Sequence, residues 1–182
     1  MHTRKRKREW VLKAGREANL TDKSGSNLQV VTSTDPLAIL EISGITPQIR
    51  ELETQAVAEG FRFLSRLIEE WESGANRFDQ QGEGLFGAFR NGRLIAVGGL
   101  SSDPFAEPDA GRLRRVYVAP ASRGQNVGKA LVQHLLELAS EHFRVVRLST
   151  DTAEGAAFYL RCGFRPIQAD FATHVKSLVD VP

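Results

Sequence analysis

The run Arg123-Gly124-Gln125-Asn126-Val127-Gly128-Lys129 has residue types and a spacing that could do chemistry. Its two glycines permit tight backbone geometry, and asparagine enters the left-handed region more readily than most residues. Before it, Leu113–Val118 reads as a buried strand, with the β-formers Val116, Tyr117 and Val118. Ala119-Pro120 stops that strand, because proline has no N–H for a ladder. After it, Val127, Leu131, Leu135 and Leu138 recur at helical spacing and form one apolar face. Strand, flexible loop and helix in that order gather backbone N–H groups around an anion, and the helix N-terminus adds roughly half a positive charge. The chemistry this predicts is phosphate binding. A Walker A loop needs four residues between its glycines and then Lys-Ser or Lys-Thr. Here three residues separate Gly124 from Gly128, and Ala130 follows Lys129. The three spaced glycines of a dinucleotide fold are missing too, so both nucleotide readings fail.

The elements that position this loop are legible on either side. Residues 38–43 alternate loosely and predict a first strand, with a further short strand at Gln29–Thr32. Thr46-Pro47 is an N-cap followed by a proline suited to the first helical position. Val57, Phe61, Leu64, Ile68 and Trp71 then recur every three or four residues, an amphipathic face divided near Gly60 and ended by Ser73-Gly74. Such an aromatic stripe packs a core. After a loop at Ala75–Glu83, the segments Gly84–Arg90 and Arg93–Leu100 flank Asn91-Gly92, a strong hairpin signal. Gly98-Gly99 leaves room for a ligand or a close backbone. Ser101–Gly111, with two prolines and three carboxylates, predicts a surface loop. Arg144–Thr150 reads as a buried strand. Asp151 with Glu154 resembles a capping box, opening a short helix through Phe158, Tyr159 and Cys162 that Gly163 closes. Phe164–Ile167 and His174–Val179 complete the strands.

The 182 residues suit one domain, 37–182, behind a basic extension at 1–36 whose composition reads as disordered. Residues 1–27 hold eight Lys or Arg against three carboxylates, so the body is mildly acidic although the chain is +2 overall. That tail is either a solvated extension or a contact for RNA or another polyanion. No apolar run is long enough for a membrane span, and no secretory pattern is present. Cys162 is the only cysteine, which excludes an internal disulfide and a thiolate cluster and suggests a cytoplasmic protein. No histidine pair has metal-ligand spacing followed by further ligands, so no metal is expected. His134 and His142 fall on the central helix as surface or packing residues, and His174 is a candidate to reach the cleft.

Taken with the element order, the loop closely resembles the acyl-CoA signature of the GNAT superfamily of N-acetyltransferases. That signature is Arg/Gln-x-x-Gly-x-Gly/Ala after a strand ending Tyr-Val-x-Pro. Arg123 and Gly128 match, and Asn126 stands where the central glycine would be. FYLRCGF, Phe158–Phe164, resembles the superfamily's second motif, Phe-Tyr-x-x-x-Gly-Phe. The resemblance covers roughly residues 38–182. It implies an α/β fold with a mixed, mostly antiparallel sheet of about seven strands, helices on both faces, and the fourth and fifth strands splayed.

The resemblance also implies an activity: transfer of an acetyl group from acetyl-CoA to a primary amine by direct attack. The acceptor is left open among a small amine, an amino acid and a protein amine, and the enzyme is expected as monomer or homodimer. The pantetheine arm would pair with backbone groups along Val116, Tyr117 and Val118. Arg123, Gly124, Gln125, Asn126, Val127, Gly128 and Lys129 would wrap the pyrophosphate. Tyr159 aligns with the tyrosine that protonates the departing thiolate, a role a phenol suits at neutral pH; its alternative is to pack the pantetheine sulfur. The base that takes the amine's proton is sought among Glu83, Asp103, Glu107 and Asp109, with Asp103 preferred because it follows the Gly98-Gly99 strand. Arg112, Arg114 and Arg115 enter the central strand, where a strict alternation sends Arg114 and Arg115 to opposite faces, to pair with an acceptor carboxylate or to balance the acidic loop. A non-catalytic acyl-CoA-binding regulator is the rival reading.

Overall fold

The computed structural model describes residues 36–179. The basic tail and the strand expected at Gln29–Thr32 lie outside them. Among the described residues seven strands form one sheet: β1 (Ala38–Glu41), β2 (Gly84–Arg90), β3 (Arg93–Ser102), β4 (Ala110–Val118), β5 (Val145–Leu148), β6 (Arg165–Ala169) and β7 (Ala172–Ser177). Their order is β1-β2-β3-β4-β5-β7-β6, and β4–β5 is the single parallel pairing. Helices α1 (Pro47–Ala58) and α2 (Phe63–Ser73) cover one face, while α3 (Val127–Ser140) and α4 (Ala153–Arg161) cover the other.

Local chemistry accounts for these elements. Thr46 Oγ1 accepts from the Ile49 N–H at 3.4 Å and caps α1, with Pro47 in its first turn. The helical region divides at Gly60, which has φ +87°, and α2 ends at Gly74 with φ +78°. Leu131, Val132 and Leu135 of α3 are fully buried against β2, β3 and β4 in one apolar cluster. Ile49, Leu52, Leu64 and Leu67 anchor α1 and α2 in a second cluster beneath the opposite face. Burying such side chains stabilises by about 1.5–3 kcal/mol each, and the two clusters hold the sheet rigid between them.

Several boundaries differ from those the sequence predicts. β3 continues to Ser102 and β4 begins at Ala110, so the acidic loop shrinks to residues 103–109. The Asp103 N–H donates to Ala110 O at 2.9 Å, and the Asp103 side chain accepts from the Phe105 N–H, closing the turn earlier than the prolines suggest. Thr152, not Asp151, caps α4; its Oγ1 accepts from the Gly155 N–H at 3.1 Å. α3 ends at Ser140, which leaves His142 in the following turn and not on the helix. Nor do Gly98 and Gly99 make room for a ligand. A Cβ on Gly99 would lie 2.4 Å from the Phe78 ring, and one on Gly98 would press on Val116 and α3.

Candidate active site

The pairing of β4 with β5 stops almost as soon as it starts. Ala110, Gly111 and Arg112 face Val145, Val146 and Arg147, and no residue of β4 beyond Arg112 has a partner on β5. A cleft of about 1430 Å³ opens between the two strands. The Ala119 N–H donates to Ile95 O on β3 at 2.9 Å, whereas Val118 O turns away from β3 and accepts from Arg123 Nε at 3.0 Å. Alternation along the strand therefore directs the main chain of Val116 and Val118 into the gap and that of Tyr117 towards β3. A free strand edge lining a slot is a template for an extended ligand.

β4 also carries a bulge. Gly99 pairs with Arg114 and Val97 with Tyr117, so three steps on β4 face two on β3, and Arg115 is held at φ +60°. The extra residue defeats the strict alternation expected of this strand. Arg114 and Arg115 both turn to the α2 face and donate to Glu70 Oε1, at 3.5 and 2.7 Å. Leu113, Val116 and Val118 pack on the α3 side, whereas Tyr117 packs with α1 and α2.

At the far end of β4 a short 3-10 turn, Pro120–Ser122, leads into the loop. Gly124 has φ +74° and Asn126 φ +60°, so asparagine does adopt the left-handed conformation that the missing glycine would have supplied. Asn126 precedes α3 without capping it through its side chain, and the first-turn residues Val127, Gly128 and Lys129 line the cleft. A Cβ on Gly128 would lie 3.1 Å from Val118 Cγ2 and 3.3 Å from the Phe158 ring, whereas nothing lies within 4 Å of one on Gly124. Helix, strand and α4 thus meet at Gly128 around an open backbone cradle. Lys129 and Arg161 add positive charge to it. This donor set fits a diphosphate.

All of the expected cofactor residues line the cleft except Gln125, whose side chain bonds Arg90 and the Ala121 carbonyl. Tyr159 lines it as well, its ring set edge-on between Phe158 and Phe164 at 5.0 and 5.7 Å. Burial pushes its hydroxyl well above the ordinary phenol range. Cys162 also borders the space, half-buried, and burial pushes its thiol up.

Glu83, Asp103, Glu107 and Asp109 do not line the cleft. Glu83 accepts from the Ser102 N–H, and Asp109 faces Arg144 at 3.8 Å. The Asp103 side chain is fully buried between Arg112 and Arg147, with Oδ2 3.4 Å from each. His174 is buried on β7 beside Thr173, so it too stays out of the cleft. One cluster had no sequence signal. Glu59, at the end of α1, receives Arg123 through both oxygens at 2.6 and 2.7 Å and the Tyr117 hydroxyl at 2.7 Å. Arg123 and then Tyr117 hold its carboxyl below the usual carboxylate range. Its partners lie about sixty residues away, beyond the reach of any local pattern.

The GNAT acetyltransferase family model matches residues 46–164. No curated protein matches the chain. Among solved structures, a candidate acetyltransferase from Exiguobacterium sp. 255-15 superposes with a TM-score of 0.70 at 24% identity, over 78% of this chain and 93% of its own. A GNAT-family acetyltransferase of Staphylococcus aureus Mu50 gives 0.58 at 16% identity, over 79% and 99%. An aminoglycoside 6'-N-acetyltransferase complexed with coenzyme A gives 0.60 at 16% identity, over 79% and 98%. The family match spans the slot between the strands, the phosphate-type loop and the tyrosine helix, and the chain belongs to the GNAT family of acetyltransferases.

Proposed function

We propose that this acyltransferase moves an acetyl group from acetyl-CoA to a primary amine by direct attack, without a covalent enzyme intermediate. The observation that carries this reading is the loss of β4–β5 pairing after Arg112, with the main chain of Val116 and Val118 and the ring of Tyr159 all on the resulting cleft. Acetyl-CoA supplies a thioester whose carbonyl carbon is the electrophile. The β4 edge holds the pantetheine arm as a further strand, and an N–H of this edge faces the carbonyl oxygen as charge develops on it. Gly124 to Lys129 hold the diphosphate through main-chain N–H groups, while Arg123 fixes the loop by way of Glu59.

In this reading Tyr159, which lines the cleft, protonates the departing sulfur. Its raised pKa keeps the proton on the oxygen throughout the neutral range. Cys162 lies on the same cleft, but its raised pKa keeps it a thiol and ill suited to attack. We assign Asp103 a positioning role, not that of base. Two guanidiniums neutralise it, and together they tie the start of β4 to β5 just where the strands part. The amine's proton then leaves to solvent at the open side of the cleft.

The test is thiol release from acetyl-CoA with a panel of amines, repeated with Tyr159→Phe. Loss of a general acid lowers kcat by about 10²–10⁴-fold. The dissociation constant of acetyl-CoA should stay within about twofold, since a phenyl ring keeps the packing against Phe158 and Phe164. An unchanged kcat would remove the role from Tyr159.

A further inference from the structure

The two faces of the cleft differ in charge. On the α3–α4 side, the main-chain cradle and Lys129 suit the diphosphate. On the opposite side, Arg62 and Arg66 from the start of α2 join Arg114 and Arg115 from the bulge of β4. Among the described residues Glu70 is the single carboxylate bonded to this group, and only its Oε1 is used, for Arg114 and Arg115 together. Arg62 and Arg66 form no ion pair among the described residues. Glu59 does not compensate them, because Arg123 takes both of its oxygens. Four guanidiniums therefore face one carboxylate, which leaves a concave surface about three charges positive. Holding like charges this close is unfavourable; burial first, and then the neighbouring Arg114 and Arg66, lower the pKa of Arg115 against the opposing pull of Glu70. Nor is the diphosphate the natural occupant, since its cradle lies past the end of β4 at Val118 and on the α3 side of the sheet.

We propose that the amine acceptor carries an anionic group, a carboxylate or a phosphate, near its amine, and that Arg62, Arg66, Arg114 and Arg115 receive it. This rests on the acyl-transfer reading of the same cleft and names the class of acceptor that reading left open. Planar guanidiniums suit such groups through paired hydrogen bonds. The anion would hold the amine at the α2 side of β4, facing the thioester from the side opposite α3. Phe61 and Phe63, which border the same space, form an apolar wall beside it.

The experiment uses matched acceptors on the full chain at saturating acetyl-CoA, with thiol release as the readout. Phenylalanine is compared with 2-phenylethylamine, and phosphoethanolamine with ethanolamine, so that carboxylate and phosphate are tested separately. At least one anionic member should exceed its neutral partner in kcat/KM by about tenfold to a hundredfold, the worth of a charge-assisted hydrogen bond. Arg66→Gln, on an exposed helical position, should erase most of that ratio through KM and leave the affinity for acetyl-CoA intact. Arg115→Gln should do the same, but it also removes the closer of the two partners of the half-buried Glu70, so Arg66→Gln decides the matter if that variant fails to fold. Should no amine release thiol, the acyl-transfer reading fails, and calorimetric binding of the same pairs to the wild type and Arg66→Gln decides the anion preference by itself. Equal behaviour of both members of each pair, or an Arg66→Gln variant that keeps the preference, would overturn the proposal.

Discussion

Asn126 occupies a left-handed position at the mouth of the phosphate-type loop, with φ +60°. A side chain there costs a β-branched residue about 1–2 kcal/mol, while asparagine tolerates it and glycine is indifferent. Asn126→Gly should accordingly leave stability nearly unchanged and preserve acetyl-CoA binding. Asn126→Val should lower stability by about 1–2 kcal/mol in urea unfolding and weaken binding as the loop distorts. Tyr159 illustrates what a motif can and cannot convey. Its place in Phe-Tyr-x-x-x-Gly-Phe was visible in the sequence, but its setting between Phe158 and Phe164 is a product of packing. Asp103 reads as a base in the sequence only through its place after β3. Two arginines, one on each of two parallel strands, enclose it, and no spacing rule brings Arg147 to it.

At the scale of elements, hairpins and helices announce themselves because their signals are local. Asn91-Gly92 turns β2 into β3 with both residues at positive φ, and Thr46-Pro47 opens α1 as its chemistry requires. The bulge in β4 was illegible, since nothing in Leu113–Val118 marks an extra residue; it exists through the register of β3 opposite. The two glycines of β3 show the same limit. They suggested space for a ligand, and the space is filled by Phe78 and α3. Gly99→Ala should therefore destabilise the fold by about 1–3 kcal/mol through overpacking. Gly44→Ala, where nothing lies within 4 Å of the added carbon, should change stability far less in the same thermal unfolding measurement.

For the molecule as a whole, stability should respond to pH at both extremes. His134 on α3 sits edge-on to Phe86 at 4.6 Å, and burial lowers its pKa from the ordinary 6.5. The folded state then binds fewer protons than the unfolded one below that value, so stability falls as pH drops from about 6.5 towards the depressed pKa. His134→Gln should flatten this fall, as followed by urea titrations across the range. Tyr117 and Tyr159 have the opposite sign. Their raised pKa values keep stability intact up to about pH 10, the ordinary phenol value, and it declines above that as the unfolded chain loses its protons first.

The slot itself is best judged by amide hydrogen exchange, residue by residue, with and without acetyl-CoA. Without it, the Val116 and Val118 amides should exchange quickly although they belong to a strand, while Tyr117, which faces β3, is protected. On adding acetyl-CoA, Val116 or Val118 should slow along with the amides from Gly124 to Lys129, and Tyr117 should stay as it was. Exchange at Val116, Val118 and the loop that is already slow, or that acetyl-CoA leaves untouched, would contradict the claim that the parted strands hold the acyl donor.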